Sequence, residues 1–292
     1  MHVQNLPRPI DCQSPRVCLY EPVQASWQLW FRVTKFGHLT GISLKKSYLS
    51  RLMFYRFGGQ LTMLQKTQGI ALSYIRYRET SIIARIYTEE FGLQGYLVNS
   101  VRTARSKNNK IALFQPLTLL DMVVYNKPDR DLHRLSELKT SYPFQSIPFD
   151  VSKSTIALFV TELLNKVLKE EAPNPALFRF LVDSIVFLET AHTNFENFHL
   201  AFLLKLSFFL GFGPESAREF ESQLRENSYP FLPDTEMETA LNIMLRQPLG
   251  TPIKLSRSAR NELLDALVGY YQIHIDSIGE VKSLPVLREV LG

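Results

Sequence analysis

Cysteine is nearly missing from this sequence. Two residues, Cys12 and Cys18, stand near the start, and none occurs from position 19 onward. A disulfide framework, a cysteine-ligated zinc site and a thiol nucleophile are therefore excluded from the body of the chain. The pattern fits a reducing cytoplasm. Long apolar runs are also missing. The longest candidate, Phe198–Phe212, is interrupted by Lys205 and falls short of the roughly 18 residues needed to cross a bilayer, so it reads as a buried helix. Histidine is scarce: His2, His38, His133, His192, His199 and His274 show no HxH or HxxxH spacing, which excludes the common metal-ligand patterns. The GFG at 211–213 is not followed by Lys and Ser or Thr, so there is no phosphate-cradling loop. Glu89 and Glu90 are adjacent, and neighbouring strand residues point to opposite faces; they suit a solvated turn better than a pair of catalytic carboxylates.

Acidic residues are rare in the front of the chain. Residues 1–65 carry eight Lys/Arg against two Asp/Glu, residues 66–143 twelve against seven, and residues 144–292 thirteen against nineteen. The net charges are +6, +5 and −6. A polyanion would therefore bind the front part.

Three segments can be distinguished among the 292 residues. Residues 1–62 hold both Cys and both Trp (Trp27, Trp30) without sustained periodicity. They read as a disordered extension, or as upstream sequence with Met63 as the true start; an organellar transit peptide has a similar acid-poor composition. Residues 63–143 alternate in the manner of strands: Gly69–Arg76, Ser81–Thr88, Gln94–Val101, Pro116–Asn126 and Leu132–Lys139, separated by turn residues. Five short strands fit a small closed barrel, the OB-fold being the common five-stranded type, with an SH3-like barrel as the alternative. From about residue 150 the apolar period becomes helical. Helices are expected at 152–171, from Asn174-Pro175 onward, at 197–210, 215–226, 234–246 and 256–276. The helix at 197–210 is apolar on nearly every side and should be central; Gly211 and Pro214 stop it. The fold class is α+β, a five-stranded barrel followed by an all-α domain over 144–292.

The most informative stretch is Val101–Ile111, VRTARSKNNKI. Its four cations, Arg102, Arg105, Lys107 and Lys110, stand without an acid on a loop between the third and fourth strands. Such a loop suits a phosphate backbone, with affinity that falls as salt rises; a solvated loop is the plain alternative. Aromatic residues interleave with the charge: Tyr74, Tyr77, Tyr87, Tyr96 and Phe114 lie near Arg76, Arg78 and Arg85. Rings that stack bases beside cations that track phosphates are the means by which single strands are held, although core packing is the commoner role for any one ring.

Seven pieces of the sequence stand in a distinctive order: RETS (78–81), YTEEFG (87–92), VRTARSK (101–107), ALFQPLTLL (112–120) and LSELK (135–139), joined by FLLKLSFFLGFGP (202–214) and KSLPVLREVL (282–291). On these pieces the chain resembles the RecO family of bacterial recombination mediators. The resemblance spans about residue 65 to the end. It implies an OB-fold followed by a helical domain, and a non-enzymatic, nucleoid-associated cytoplasmic protein of DNA repair and recombination. It further implies binding to single- and double-stranded DNA, annealing, cooperation with RecR, binding to the C-terminal tail of the single-stranded DNA-binding protein (SSB), and assistance to RecA loading. By position, Arg102, Arg105, Lys107 and Lys110 match the family's basic loop. No cofactor is implied. Many relatives carry a four-cysteine zinc finger after the central helix. Residues 214–233 here contain no Cys, so that lobe is expected to lack zinc and to rest on Phe220, Tyr229, Phe231 and Leu232. An RNA-binding barrel protein and a pure interaction protein are the alternative functions.

Overall fold

The computed structural model describes residues 53–57, 60–99, 101, 110–126, 131–168 and 172–291, with only the backbone path given up to residue 63. All of them fall in one compact unit, Tyr48–Gly292. Two pieces of strand lie ahead of Met63, in the segment expected to be an extension: β1 (Met53–Phe57) and the first residues of β2 (Gln60–Tyr77). They pair antiparallel, from Met53↔Leu64 to Phe57↔Gln60.

The barrel is made of β2, β3 (Ser81–Thr88), β4 (Gly92–Val98), β5 (Leu119–Asn126) and β6 (Leu132–Thr140). Its strand order is β2-β3-β4-β6-β5, closed by pairing of β5 with β2. All pairings are antiparallel except β4–β6, which gives the five-stranded OB-type closure expected from the strand pattern. The closure depends on β2, whose first half pairs with β5 (Met63↔Asn126 to Ile70↔Leu119) and whose second half pairs with β3 (Gly69↔Thr88 to Tyr77↔Ser81). The changeover falls at Gly69, just before a register shift between Ala71 and Ser73. A Cβ on Gly69 would stand 2.7 Å from Ile86 Cγ2 and 2.9 Å from Met122 Cε, so the tight bend needs a residue without a side chain.

The turns explain the motifs that stood out in the sequence. Arg78 opens the β2–β3 turn with φ +52°. In the β3–β4 turn the Thr88 hydroxyl donates to Gly92 O (2.8 Å) and accepts from Phe91 N (3.1 Å), and Gly92 has φ +64°. That geometry starts β4 at Gly92 rather than 94. β5 starts at Leu119 rather than 116 because residues 115–118 form a turn in which Leu117 has φ +63°.

Both faces of the barrel wall are buried over part of its area. Ile82, Ala84, Ile86, Tyr96, Leu120, Met122 and Val124 fill the interior, and Phe114 of a short 3-10 helix (Lys110–Phe114) plugs it. Ile70, Leu72, Tyr87, Leu93, Leu117 and Leu119 instead join the core of the helical domain. That domain contains α1 (Val151–Val167), α2 (Pro175–Thr190), α3 (Phe198–Phe209), α4 (Ala217–Glu226), α5 (Thr235–Arg246), α6 (Arg257–His274) and α7 (Leu284–Leu291). Asp150, Asn174, Ser216, Asp234 and Ser256 each cap a helix by accepting a backbone N–H three residues on, the usual means of satisfying a free first-turn donor. Nine of the twelve residues of α3 are buried, so it is the central helix. Phe212 N donates to Ser207 O (3.0 Å) and Gly211 has φ +89°, a Schellman-type stop.

The lobe after α3 departs from expectation at one residue. Phe220 and Phe231 are buried and meet edge to face at 5.7 Å, and Tyr229 donates to Asp265 O at 2.9 Å. Leu232, however, is 78% exposed. It sits between Phe231 and Pro233 in an irregular segment, so no periodic element carries it into the core. Among the described residues no helix is long and apolar enough to cross a membrane.

Candidate nucleic-acid interface

The basic loop is anchored at both ends to one end of the barrel. Val101 is buried, and its N–H donates to Thr80 O in the β2–β3 turn (2.9 Å). At the other end Lys110 opens the 3-10 helix, whose Phe114 inserts into the barrel interior. Lys110 is exposed. Arg102, Arg105 and Lys107 lie outside the described residues.

The five rings singled out in the sequence do not act as one set. Tyr87, Tyr96 and Phe114 are each 2% exposed or less. Tyr87 meets Phe178 of α2 at 6.2 Å between ring centroids, and Tyr96 packs near His133 at 6.0 Å. Burial raises the Tyr96 hydroxyl far above its ordinary pKa, against a hydrogen bond with Thr88 that lowers it. These three rings are core. Tyr74 is exposed and Tyr77 half-buried near the β2–β3 turn, with exposed Arg76 and Arg78 beside them. The Arg78 guanidinium stands 5.2 Å from the centre of the Tyr77 ring, within cation–π range.

Arg85 has a different task from the one its place in the sequence suggested. Its guanidinium donates to Asn165 O (3.1 Å) and Leu168 O (3.3 Å) at the C-terminus of α1. A cation there satisfies carbonyls that the helix leaves free and faces the negative end of the helix dipole. α1 ends at Val167, not at 171, and Leu168 beyond it is extended (φ −82°, ψ 108°). Ser73 Oγ donates to Asn165 Oδ1 (3.1 Å), so the barrel and α1 are joined by polar bonds as well as by apolar contact.

The joint continues in the connection between barrel and helices. Buried Glu189 accepts the backbone N–H groups of Gln145, Ser146 and Ile147 at 2.6, 2.7 and 2.8 Å. Buried Lys153 donates to Ser146 Oγ (2.7 Å) and Glu189 O (3.0 Å). The connecting segment is thus tied to α1 and α2 by buried polar bonds.

Beyond the basic loop, sequence reasoning missed Ile75, which is 64% exposed although it sits in a strand. The paired Ile75 and Ile83 contribute to a shallow groove of about 440 Å³ lined also by Ser73, Tyr74, Arg85, Gln94 and Gly95. The signal was present in SYIRYR (73–78), where apolar and basic residues alternate to the end of the strand. A buried strand end would not spend two arginines there.

Comparison with known proteins agrees with this architecture. The family model described as "Recombination protein O N terminal" matches residues 63–144, and "Recombination protein O C terminal" matches residues 148–285. The chain is 38% identical over 242 residues to a DNA repair protein RecO of Phocaeicola vulgatus, covering 79% of this chain and 100% of that protein. It is 37% identical over 236 residues to the protein of the same name from Flavobacterium psychrophilum, covering 78% and 99%. For the Bacteroides fragilis protein of that name the identity is 36% over 241 residues, covering 78% and 99%. With both halves of the family matched in order, and relatives aligned over nearly their whole length, the chain belongs to the recombination protein O (RecO) family.

Proposed function

We propose that this chain is a non-enzymatic recombination mediator in DNA repair, which binds single- and double-stranded DNA through its barrel and basic loop. The observation that carries the reading is the clustering of cations at one barrel end: exposed Arg76, Arg78 and Lys110 stand where both ends of the Arg102–Lys107 segment are anchored. The names of its relatives, DNA repair protein RecO, support the biological setting. In this reading Arg102, Arg105, Lys107 and Lys110 neutralise phosphates and bring two strands close, so that their repulsion falls and annealing speeds up. Residues 63–143 serve as the DNA-binding unit and residues 144–292 as the partner-binding unit. The acidic helical domain receives RecR and the C-terminal tail of SSB, and RecA then replaces SSB on the strand. The work is done in the cytoplasm on nucleoid DNA. No bond is made or broken, so neither nucleotide nor metal takes part.

The test is a fluorescence strand-annealing assay with SSB-coated oligonucleotides, run with and without charge reversal at the four loop cations. The unchanged chain should accelerate annealing. For every phosphate that is no longer neutralised, the salt slope of single-strand binding should fall by about 0.7. Unchanged affinity and slope in the reversed variant would show that the loop does not meet DNA. Stronger competition by RNA than by single-stranded DNA of equal length would move the reading to an RNA-binding barrel.

A further inference from the structure

We infer that copies of this chain dock head to tail, with Leu232 of one copy seated in the groove across β2, β3 and β4 of the next. The contact itself does not depend on the reading of the chain as a DNA binder; only its consequence for DNA does.

The groove is built of residues that serve neither core. Cross-strand partners point to the same face of a sheet. Ile75 pairs with Ile83, Ile83 with Leu97, and Leu97 with Arg134. Three apolar side chains therefore lie in a row over three strands, and the row ends on a cation. None of the three joins the barrel interior or the core of the helical domain, and Ile75 is 64% exposed. The next row, Ser73, Arg85 and Gly95, drops to bare backbone at Gly95 and completes a hollow of about 440 Å³. Exposed Arg78, Arg85 and Arg134 surround it against exposed Glu79 and Asp131. The four-cation loop starts from the same end, where Val101 N donates to Thr80 O at 2.9 Å.

The helical domain carries the complement. Leu232 is 78% exposed, and its place is fixed. Pro233 after it confines it to extended backbone. Phe231 before it is buried edge to face against Phe220, and Tyr229 donates to Asp265 O at 2.9 Å. From Glu226 to Leu245 the chain holds four acids, Glu226, Asp234, Glu236 and Glu238, and no Lys or Arg. All four acids are exposed. An aliphatic knob ringed by acids thus matches an apolar hollow ringed by arginines. Within one molecule neither covers the other, since Ile75 and Leu232 are open in the same structure. A second copy brings them together. Because the two surfaces differ, each docked pair leaves a groove free at one end and a knob at the other, so further copies can add. One side chain and a charged rim make a small contact, of the weak and transient class, and its exposed charges make it sensitive to salt. A docked copy lays its acids over Arg78 and beside the start of the basic loop. Assembly and DNA then compete for one end of the barrel, so the assembled form yields to the monomer when DNA is present.

The test is sedimentation velocity of the full chain over a wide range of protein concentration, at low and at high salt. Mass should rise with concentration at low salt and return to that of the monomer at high salt. Leu232→Lys and Ile75→Lys each change an exposed side chain, so neither disturbs a core. Each should weaken association about tenfold or more, as expected when a buried aliphatic contact is lost. Mixed together, the two variants should form dimers and nothing larger, because the first still offers a groove and the second a knob. A dimer that appears only on mixing identifies the two sides of one contact. Duplex oligonucleotide should disperse the assemblies of the unmodified chain. An unmodified chain that stays monomeric at every concentration in low salt overturns the inference. So does a Leu232→Lys variant that associates like the unmodified chain, or a mixture that stays monomeric after each variant alone has lost association. If assemblies form but the chain binds no DNA, the contact stands and the DNA reading fails. If DNA binds without dispersing them, the competition is overturned.

Discussion

At the scale of single residues, His199 shows what burial without a partner does. It sits in the first turn of α3, 1% exposed, edge-on to Phe159, and its Nδ1 has no hydrogen-bond partner. Burial, and secondarily the nearby Arg260 charge, push its pKa down to about 3. An unfolded chain takes up a proton on this imidazole near pH 6.5; the folded chain refuses it until about pH 3. Stability therefore falls as pH drops through that window. His199→Leu should flatten the pH dependence of urea unfolding between pH 6.5 and 4, and a curve parallel to that of the unchanged protein would refute the assignment. Gly69 is the opposite case, a residue defined by the space it leaves. Gly69→Ala would force its methyl against Ile86 and Met122 and should cost about 1–3 kcal/mol, the usual penalty of overpacking a closed core, read as a lower midpoint in denaturant.

At the scale of elements, α7 sinks Leu287 and Leu291 into the core, and its start is capped from another helix. Glu162 of α1 accepts from Lys282 N and Ser283 N at 2.8 Å each and from Ser283 Oγ at 2.6 Å, so an acid on one helix caps the start of another. One turn on, Lys166 Nζ donates to Ile278 O and Glu280 O at 2.7 Å each. Burial works against the charge on Glu162, but the Ser283 hydroxyl, the two N–H groups and the Lys166 ammonium outweigh it and hold the carboxyl below its ordinary pKa. The folded state thus keeps this carboxylate ionised at a pH where the unfolded chain protonates it. The stabilisation is complete above the ordinary carboxylate range and is lost as pH falls through the lowered value. Glu162→Gln should destabilise by about 1–3 kcal/mol at pH 7, and the gap to the unchanged protein should shrink as pH falls below the ordinary glutamate value, about 4.3. A gap of constant size across pH would mean that the charge contributes nothing.

Element types were legible in the sequence because their signals are local. Asn174-Pro175 opens α2, and Gly211 followed by Pro214 closes α3, where the residues placed them. Strand ends were less legible, because β2 runs nine residues ahead of Gly69 only by pairing with β1 and β5, and no local pattern records a distant partner. The candidate site was legible in part. Lys110, Arg76 and Arg78 are exposed as a nucleic-acid surface requires. Tyr87 was misleading: its position on the outer wall reads as exposed until α2 is known to cover it. Arg85 was likewise claimed by a helix end that no nearby residue announces.

For the whole molecule, the joint between barrel and helices decides whether the two halves behave as one body. Glu189 holds three consecutive backbone donors of the connecting segment, and Glu189→Ala would leave them without their acceptor. The destabilisation should reach about 1–3 kcal/mol, the cost of leaving buried donors without an acceptor. Hydrogen exchange should show the 145–147 amides opening first in this variant. If their protection is unchanged, Glu189 is not what fixes the connection.

The divided pairing of β2 also sets the order of events on the ribosome. β1 can pair with its first residues at once, but the edge from Met63 to Ile70 that faces β5 stays open until β5 has been synthesised; Gln68 and Asp121, which meet across that seam, are 53 residues apart. Until then the nascent chain carries an open strand edge, and closure must wait for a long loop to be gathered in. Translation therefore imposes a vulnerable interval on this protein, which ends when the segment from Leu119 to Asn126 leaves the exit tunnel.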